Sequence, residues 1–221
     1  MSKPQIHFNV DTNDWKENQL KNILSLTTGK LDANAASKDG QFAFFTCGKE
    51  QLLTKTFAFS GDAILINGNG DLGYTRKYSG FFNAYQRTYV LQNFNENFEF
   101  VEIAIKKHLP NKIKEEAIGG AMPYIKSDTI SGLKIYFPTV QSQKQIVSFF
   151  VAITNKINNE QQIIDKLNKI KTSMLKLMFS EDTSMSPRLR FNEFTNPWEQ
   201  QYINANLFPK IKKYPTTGYY Y

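Results

Sequence analysis

The sequence predicts a mixed α/β (α+β) fold: a globular domain followed by a long coiled-coil helix. Three observations carry that reading. Short apolar runs bounded by glycine and polar residues punctuate the first half, as buried strands do. From Gln143 to Phe179 there is no glycine or proline, and apolar residues recur at steps of three and four. The chain also repeats its own opening segment near its end.

The elements follow in order. Residues 15–26 carry Trp15, Leu20, Ile23, Leu24 and Leu26, a spacing that predicts a short amphipathic helix closed by Gly29. Phe42–Thr46 and Ala63–Ile66 predict buried strands, with a turn at Gly61-Asp62 before the second. The segment Tyr74–Gly80 has turn and strand character. Tyr85–Leu91 alternates polar and apolar residues and predicts another strand. Phe98, Val101, Ile105 and Leu109 fall at helical spacing. Gly119-Gly120-Ala121-Met122-Pro123 predicts a loop, and Gly132–Phe137 a last strand ended by Pro138.

The uninterrupted stretch from Gln143 to Phe179 would span about 55 Å as a helix. A stripe that long cannot be buried against one small domain, so it calls for another long helix. The residues expected to meet that partner are Ile146, Phe150, Ile153, Ile157, Ile164, Leu167, Ile170 and Met174.

At a constant offset of 183, six of twelve positions in 4–15 and 187–198 are identical, among them Phe8 with Phe191, Asn9 with Asn192 and Trp15 with Trp198. Solenoid repeats run about 20–50 residues, so this period marks a whole domain plus its connector. The expected division is a globular domain over 1–140, the helix over 141–183, and the truncated start of a second copy over 184–221.

With 41% hydrophobic and 14% aromatic residues the chain can bury a core, and a disordered chain is excluded. A net charge of +7 admits nucleic acid or an anionic membrane as partners. Cys47 is the only cysteine, so neither an internal disulfide nor a multi-cysteine zinc site can form. No apolar run approaches the roughly 20 residues a membrane helix needs, and the start lacks a signal-peptide core. The expectation is a soluble cytoplasmic protein with no membrane partner.

Several motifs invite chemistry and do not complete it. Gly68-Asn69-Gly70-Asp71-Leu72-Gly73 has the glycine spacing of a dinucleotide site. Such a site needs a helix opening within the glycines, and Tyr74-Thr75-Arg76-Lys77 does not predict one. Asn196-Pro197-Trp198 is similar to the Asn-Pro-Pro-aromatic motif of amino-methyltransferases but lacks the second proline. His7 and His108 have no acidic or thiol partners in the sequence pattern for a triad or metal. No catalytic residue, metal or cofactor is expected, which favours a binding module over an enzyme.

Together these residues resemble a known family. Gly61–Gly73 followed by Ala84–Val90 is similar to the middle of a target-recognition domain of type I restriction-modification specificity subunits. Pro138–Ile146 resembles that family's entry into its conserved helix, and Pro187–Phe191 through Trp198–Gln200 its repeat-opening segment. The resemblance implies a non-catalytic subunit. In it, two recognition domains each read half of an interrupted DNA site, and two antiparallel helices space them. Methyltransferase subunits bind around it and methylate adenine with S-adenosylmethionine, which is expected on those partners. A motor-endonuclease subunit is a further partner.

Base reading needs amide, hydroxyl and guanidinium groups, and phosphate positioning needs cations. Candidates near predicted turns and strand ends are Lys30, Lys38, Lys49, Asn67, Asn69, Arg76, Lys77, Gln86 and Arg87. With one full unit present, the chain is expected to form a homodimer through antiparallel helices on double-stranded DNA. The competing expectation is a coiled-coil adaptor or inhibitory decoy that binds methyltransferase subunits without reading DNA.

Overall fold

A computed structural model describes residues 15–116, 124–179 and 186–196. His7, the first arm of the repeat over 4–14, the glycine loop over 119–123 and Trp198 lie outside the described residues. The chain divides into two units, Met1–Ile153 and Thr154–Tyr221.

In the first unit, nine strands run in the order β1 (Lys16–Gln19), β2 (Ser25–Thr28), β3 (Phe42–Phe45), β4 (Gln51–Thr54), β5 (Asp62–Asn67), β6 (Thr75–Ser79), β7 (Phe82–Ala84), β8 (Thr88–Gln92) and β9 (Lys134–Phe137). Helix α1 (Phe98–Glu116) and the short α2 (Ser127–Ser131) precede β9, and α3 (Val140–Met178) follows it. Strands β2-β8-β5-β6 form an antiparallel sheet. Strands β4-β3-β7 form a second sheet in which β3 and β7 are parallel, and β1 pairs with β9.

Strand β5 explains how these parts share a core. Its residues alternate between two faces, and both faces are covered. Ile64 and Ile66 join α1, Leu20, Ile125 and Ile130 on one side. Ala63 and Leu65 join Phe45, Phe82 and Ala84 of the smaller sheet on the other. A strand buried on both faces reads as a continuous apolar run, as Ala63–Ile66 does. Its neighbour β6 lies at the sheet edge, where Lys77 and Ser79 are exposed.

The expected helix over 15–26 is absent. Lys16–Gln19 is a strand paired with Lys134–Phe137, followed by a single 3-10 turn over Leu20–Asn22 and the strand Ser25–Thr28. Leu20, Ile23 and Leu24 are buried, so their spacing reports burial correctly. The choice of conformation came from β9, more than a hundred residues away, which supplies the backbone partners. The strand read at Tyr85–Leu91 is also divided: Tyr85–Arg87 form a turn between β7 and β8.

Helix α1 starts where expected and runs past Leu109 through Pro110 to Glu116. Asn97 caps it by accepting the Phe100 amide at 2.9 Å. Proline costs an interior helix a hydrogen bond; here Leu109 and Ile113, on either side of it, pack on the core.

The start of α3 belongs to the globular core. Gln143 is fully buried, donates to Glu96 Oε2 at 2.8 Å and to the Pro138 carbonyl at 3.0 Å, and accepts the Asn97 amide at 3.1 Å. Val147 is buried and Ile146 packs against the same cluster. Ile146 was expected on the partner-helix face; its own domain already half-covers it.

In the second unit, α3 ends at Met178 and Leu189 donates its amide to the Leu177 carbonyl at 3.0 Å. Met178, Leu189, Phe191 and Phe194 line an open cavity of about 390 Å³, and Arg190 donates to the Asn196 carbonyl.

Candidate nucleic-acid interface

Strands β2, β3, β5 and β7 end, and β4, β6 and β8 begin, at one end of the two larger sheets. Four loops therefore gather there: 29–32, 46–50, 68–74 and 85–87. Main-chain hydrogen bonds lace them together. Gly68 donates to Arg87 at 2.9 Å, Asp71 to Cys47 at 3.1 Å, Tyr85 to Phe45 at 2.9 Å and Gln86 to Leu31 at 3.0 Å.

Two glycines permit the close packing. A Cβ on Gly29 would fall 2.0 Å from the Ala84 carbonyl oxygen. Gly70 adopts φ +62 and lies so close to the Cys47 carbonyl that a Cβ would be 2.9 Å from it. The glycine run at 68–73 thus serves backbone approach between loops. It opens no helix: strand β6 follows it.

Arg76 is the clamp of this end. Its guanidinium lies 4.8 Å from the Tyr74 ring centre and 5.3 Å from that of Phe45. It donates to the carbonyls of Gly48 and Lys49, the latter at 3.1 Å. Burial pushes its pKa below the usual arginine value, an effect partly opposed by Tyr74, Cys47 and Asp71. Asn67 is fully buried and donates to the Gly48 carbonyl at 3.4 Å. Both were expected as DNA contacts, and both hold the 46–50 loop; Asn67 has no surface to offer a base, whereas Arg76 keeps part of its surface.

Of the expected residues, Lys30, Lys49, Gln86 and Arg87 face outward at this end. Gln86 donates to Asp32 Oδ1 at 3.1 Å, and Lys49 Nζ stands 6.0 Å from the Tyr74 ring centre. Asn69 is half-buried, and its Oδ1 is enclosed with no hydrogen-bond partner among the described residues. Arg87 and Gln86 line a cleft of about 200 Å³ with Thr28, Tyr89, Tyr124 and Ile125. That cleft is braced by the Tyr89 hydroxyl on the Ile125 carbonyl at 2.7 Å and by the Ile125 amide on the Gly68 carbonyl at 2.7 Å.

Two expected residues lie elsewhere. Lys38 is in the loop leading into β3, near the opposite end of that strand. Lys77 pairs with Glu99 at 3.0 Å, so its charge is answered within the fold. The sequence reading missed Tyr74, Tyr124 and Lys126, all exposed at or beside the loop end. Tyr74 could have been found as an aromatic beside a basic pair; Tyr124 and Lys126 arrive only through the Gly68–Ile125 contact.

Among the described residues no group of three or more His, Cys, Asp or Glu is placed to hold a metal ion. His108 lies half-buried on α1, its pKa lowered first by burial and then by Lys107. The Cys47 thiol donates to the Arg87 carbonyl at 3.3 Å. No described helix is long and apolar enough to cross a membrane.

Residues 12–169 match the family model of the type I restriction modification DNA specificity domain, a stretch that holds all four loops and most of α3. The chain belongs to the type I restriction-modification specificity family. It is 31% identical over 199 residues to the type I restriction enzyme EcoDI specificity subunit of Escherichia coli, covering 90% of this chain and 43% of that protein. The chain thus spans less than half the length of that curated relative. In fold it is similar to the type I restriction-modification S subunit from M. genitalium, with TM-score 0.60, 20% identity and coverage of 80% of this chain and 49% of the other. It is also similar to the HsdS subunit from Thermoanaerobacter tengcongensis, with TM-score 0.51, 14% identity and coverage of 73% and 42%. These specificity-family structures bear out the mixed α/β class with a long helix.

Proposed function

We propose that this chain is a non-catalytic DNA-reading subunit of a type I restriction-modification system. In this reading residues 1–140 read DNA, 141–183 form the spacer helix, and 184–221 begin a second unit. The observation that carries it is the family match over the stretch where four loops, laced by backbone bonds, present Lys30, Lys49, Gln86 and Arg87 on one end. Rigid loops with mixed donors and acceptors suit base edges, and their cations suit phosphates. Asp32, Glu50 and Asp71 are interspersed there and add acceptors for cytosine amino groups.

The apolar stripe of α3 supports a second long helix as partner. Ile157, Leu167 and Ile170 are 61%, 58% and 54% exposed. We assign that partner to a second copy, antiparallel, which makes a twofold subunit for a symmetric interrupted site. Methyltransferase subunits carrying S-adenosylmethionine, and a motor-endonuclease subunit, complete the assembly in the cytoplasm.

The test is DNA binding with methyltransferase present, over a range of salt. Sequence-selective, salt-sensitive binding is expected, with Arg87→Ala or Lys49→Ala weakening it about tenfold. Assembly with methyltransferase but no selective DNA binding at any salt would sink this reading and leave the adaptor one standing.

A further inference from the structure

The middle of α3 carries two charges where its neighbours are apolar. In heptads with a at Ile153, the a and d positions from Ile146 to Leu177 are apolar at every turn except Lys156 (d) and Glu160 (a). The two form an ion pair with each other at 2.6 Å, and both stay exposed, with side chains 75% and 51% accessible. As a surface pair this contributes little. Charges placed on the seam of a coiled coil have a stronger consequence, because they decide which helix can be opposite and in what register.

We infer that Lys156 and Glu160 set the orientation and register of α3 against a second copy of this chain, an inference that rests on the homodimer proposed above. A twofold axis at residue 158 places Lys156 opposite Glu160 of the other copy, and Glu160 opposite its Lys156. The same axis places Ile153 opposite Ile163 and Phe149 opposite Leu167, so each a residue meets a d residue. The flanking e positions then pair Ile157 with itself and Phe150 with Ile164, which accounts for apolar residues beyond the a and d seam. Residue 158 is one position from the centre of Val140–Met178.

The alternatives are penalised by the same two residues. A parallel pair sets Lys156 against Lys156 and Glu160 against Glu160. An antiparallel pair shifted by one heptad sets Lys156 against Ile153 or Leu167, burying a charge without a partner. Only the axis at 158 answers all four charges while keeping the apolar layers together.

The experiment uses the full chain, with the dimer constant read by sedimentation. Lys156→Glu and Glu160→Lys each weaken self-association by at least about tenfold, since each sets like charges opposite one another twice. Mixing the two single variants in equal amounts restores association, although neither chain then has its internal ion pair. In a Cys47→Ser background, Asn159→Cys forms a disulfide between copies and Ile153→Cys does not. Single variants that associate like the wild type, or cross-linking through Ile153→Cys, overturn the register while leaving the homodimer. A chain that is monomeric alone and with methyltransferase overturns the homodimer and this inference with it.

Discussion

Strand β5 and helix α3 are both rich in isoleucine and leucine, yet they end in opposite environments. Ile64, Leu65 and Ile66 are at zero exposure, covered on two faces by the two cores. On α3, Ile163 and Ile164 are each 49% exposed and Leu167 more so. The difference teaches where the chain is self-sufficient. Core strands draw their free energy from contacts within the chain. Past Val147 the helix has a full apolar stripe and draws little from it until something covers it.

The strongest way to break this contrast is Leu65→Ala. Both sides of β5 depend on that strand, so urea unfolding should show a loss of about 2–5 kcal/mol. A loss below about 1 kcal/mol would mean that the core between β5 and the smaller sheet adds little to the fold. Next is Arg76→Ala, which removes the donor to the Lys49 carbonyl and leaves the Gly48 carbonyl only the longer bond from Asn67. A loss of about 1–3 kcal/mol is expected, with faster amide exchange confined to the 46–50 and 68–74 loops. Exchange that speeds up across the whole domain would argue against a local clamp.

Ile157→Asp sharpens the other side of the comparison. Domain stability at low concentration should change by no more than about 0.5 kcal/mol, while self-association is lost. An equally large change in both would show that Ile157 already contributes within one chain.

The smallest effect concerns His108. Its folded pKa lies below the unfolded value near 6.5 because burial disfavours the charged ring. Stability from this group is therefore present above about pH 6.5 and lost as pH falls through the lowered folded value. His108→Gln should flatten that part of the stability–pH curve; an unchanged slope would assign it to other groups.

Much of the fold was legible from local pattern. Ala63–Ile66 announced a doubly buried strand, and the glycine-free stretch to Phe179 announced α3. What failed, failed where distant partners chose the conformation. Residues 15–26 have helical spacing, but β9 lies alongside Lys16–Gln19 and makes them a strand. Strand β4 and helix α2 had no distinct signal: Gln51–Thr54 is a short, partly exposed strand, and α2 is five residues long.

The candidate site divided in the same way. Its residue types were readable, because amides and cations near turns are the chemistry DNA reading requires. Their roles were not. Asn67 and Arg76 look in sequence just like Gln86 and Arg87, and the fold encloses Asn67, ties Arg76 half-buried to the 46–50 loop, and leaves Gln86 and Arg87 exposed.

By itself, then, the sequence determined the apolar periodicities, the duplication at an offset of 183, and the apolar stripe of the long helix. These are local or self-similar properties, which need no knowledge of neighbours. Only the tertiary structure decided which polar groups are spent inside and which are offered outside. That depends on which loops meet, and loops meet through backbone bonds such as Gly68 to Arg87 that no local pattern encodes.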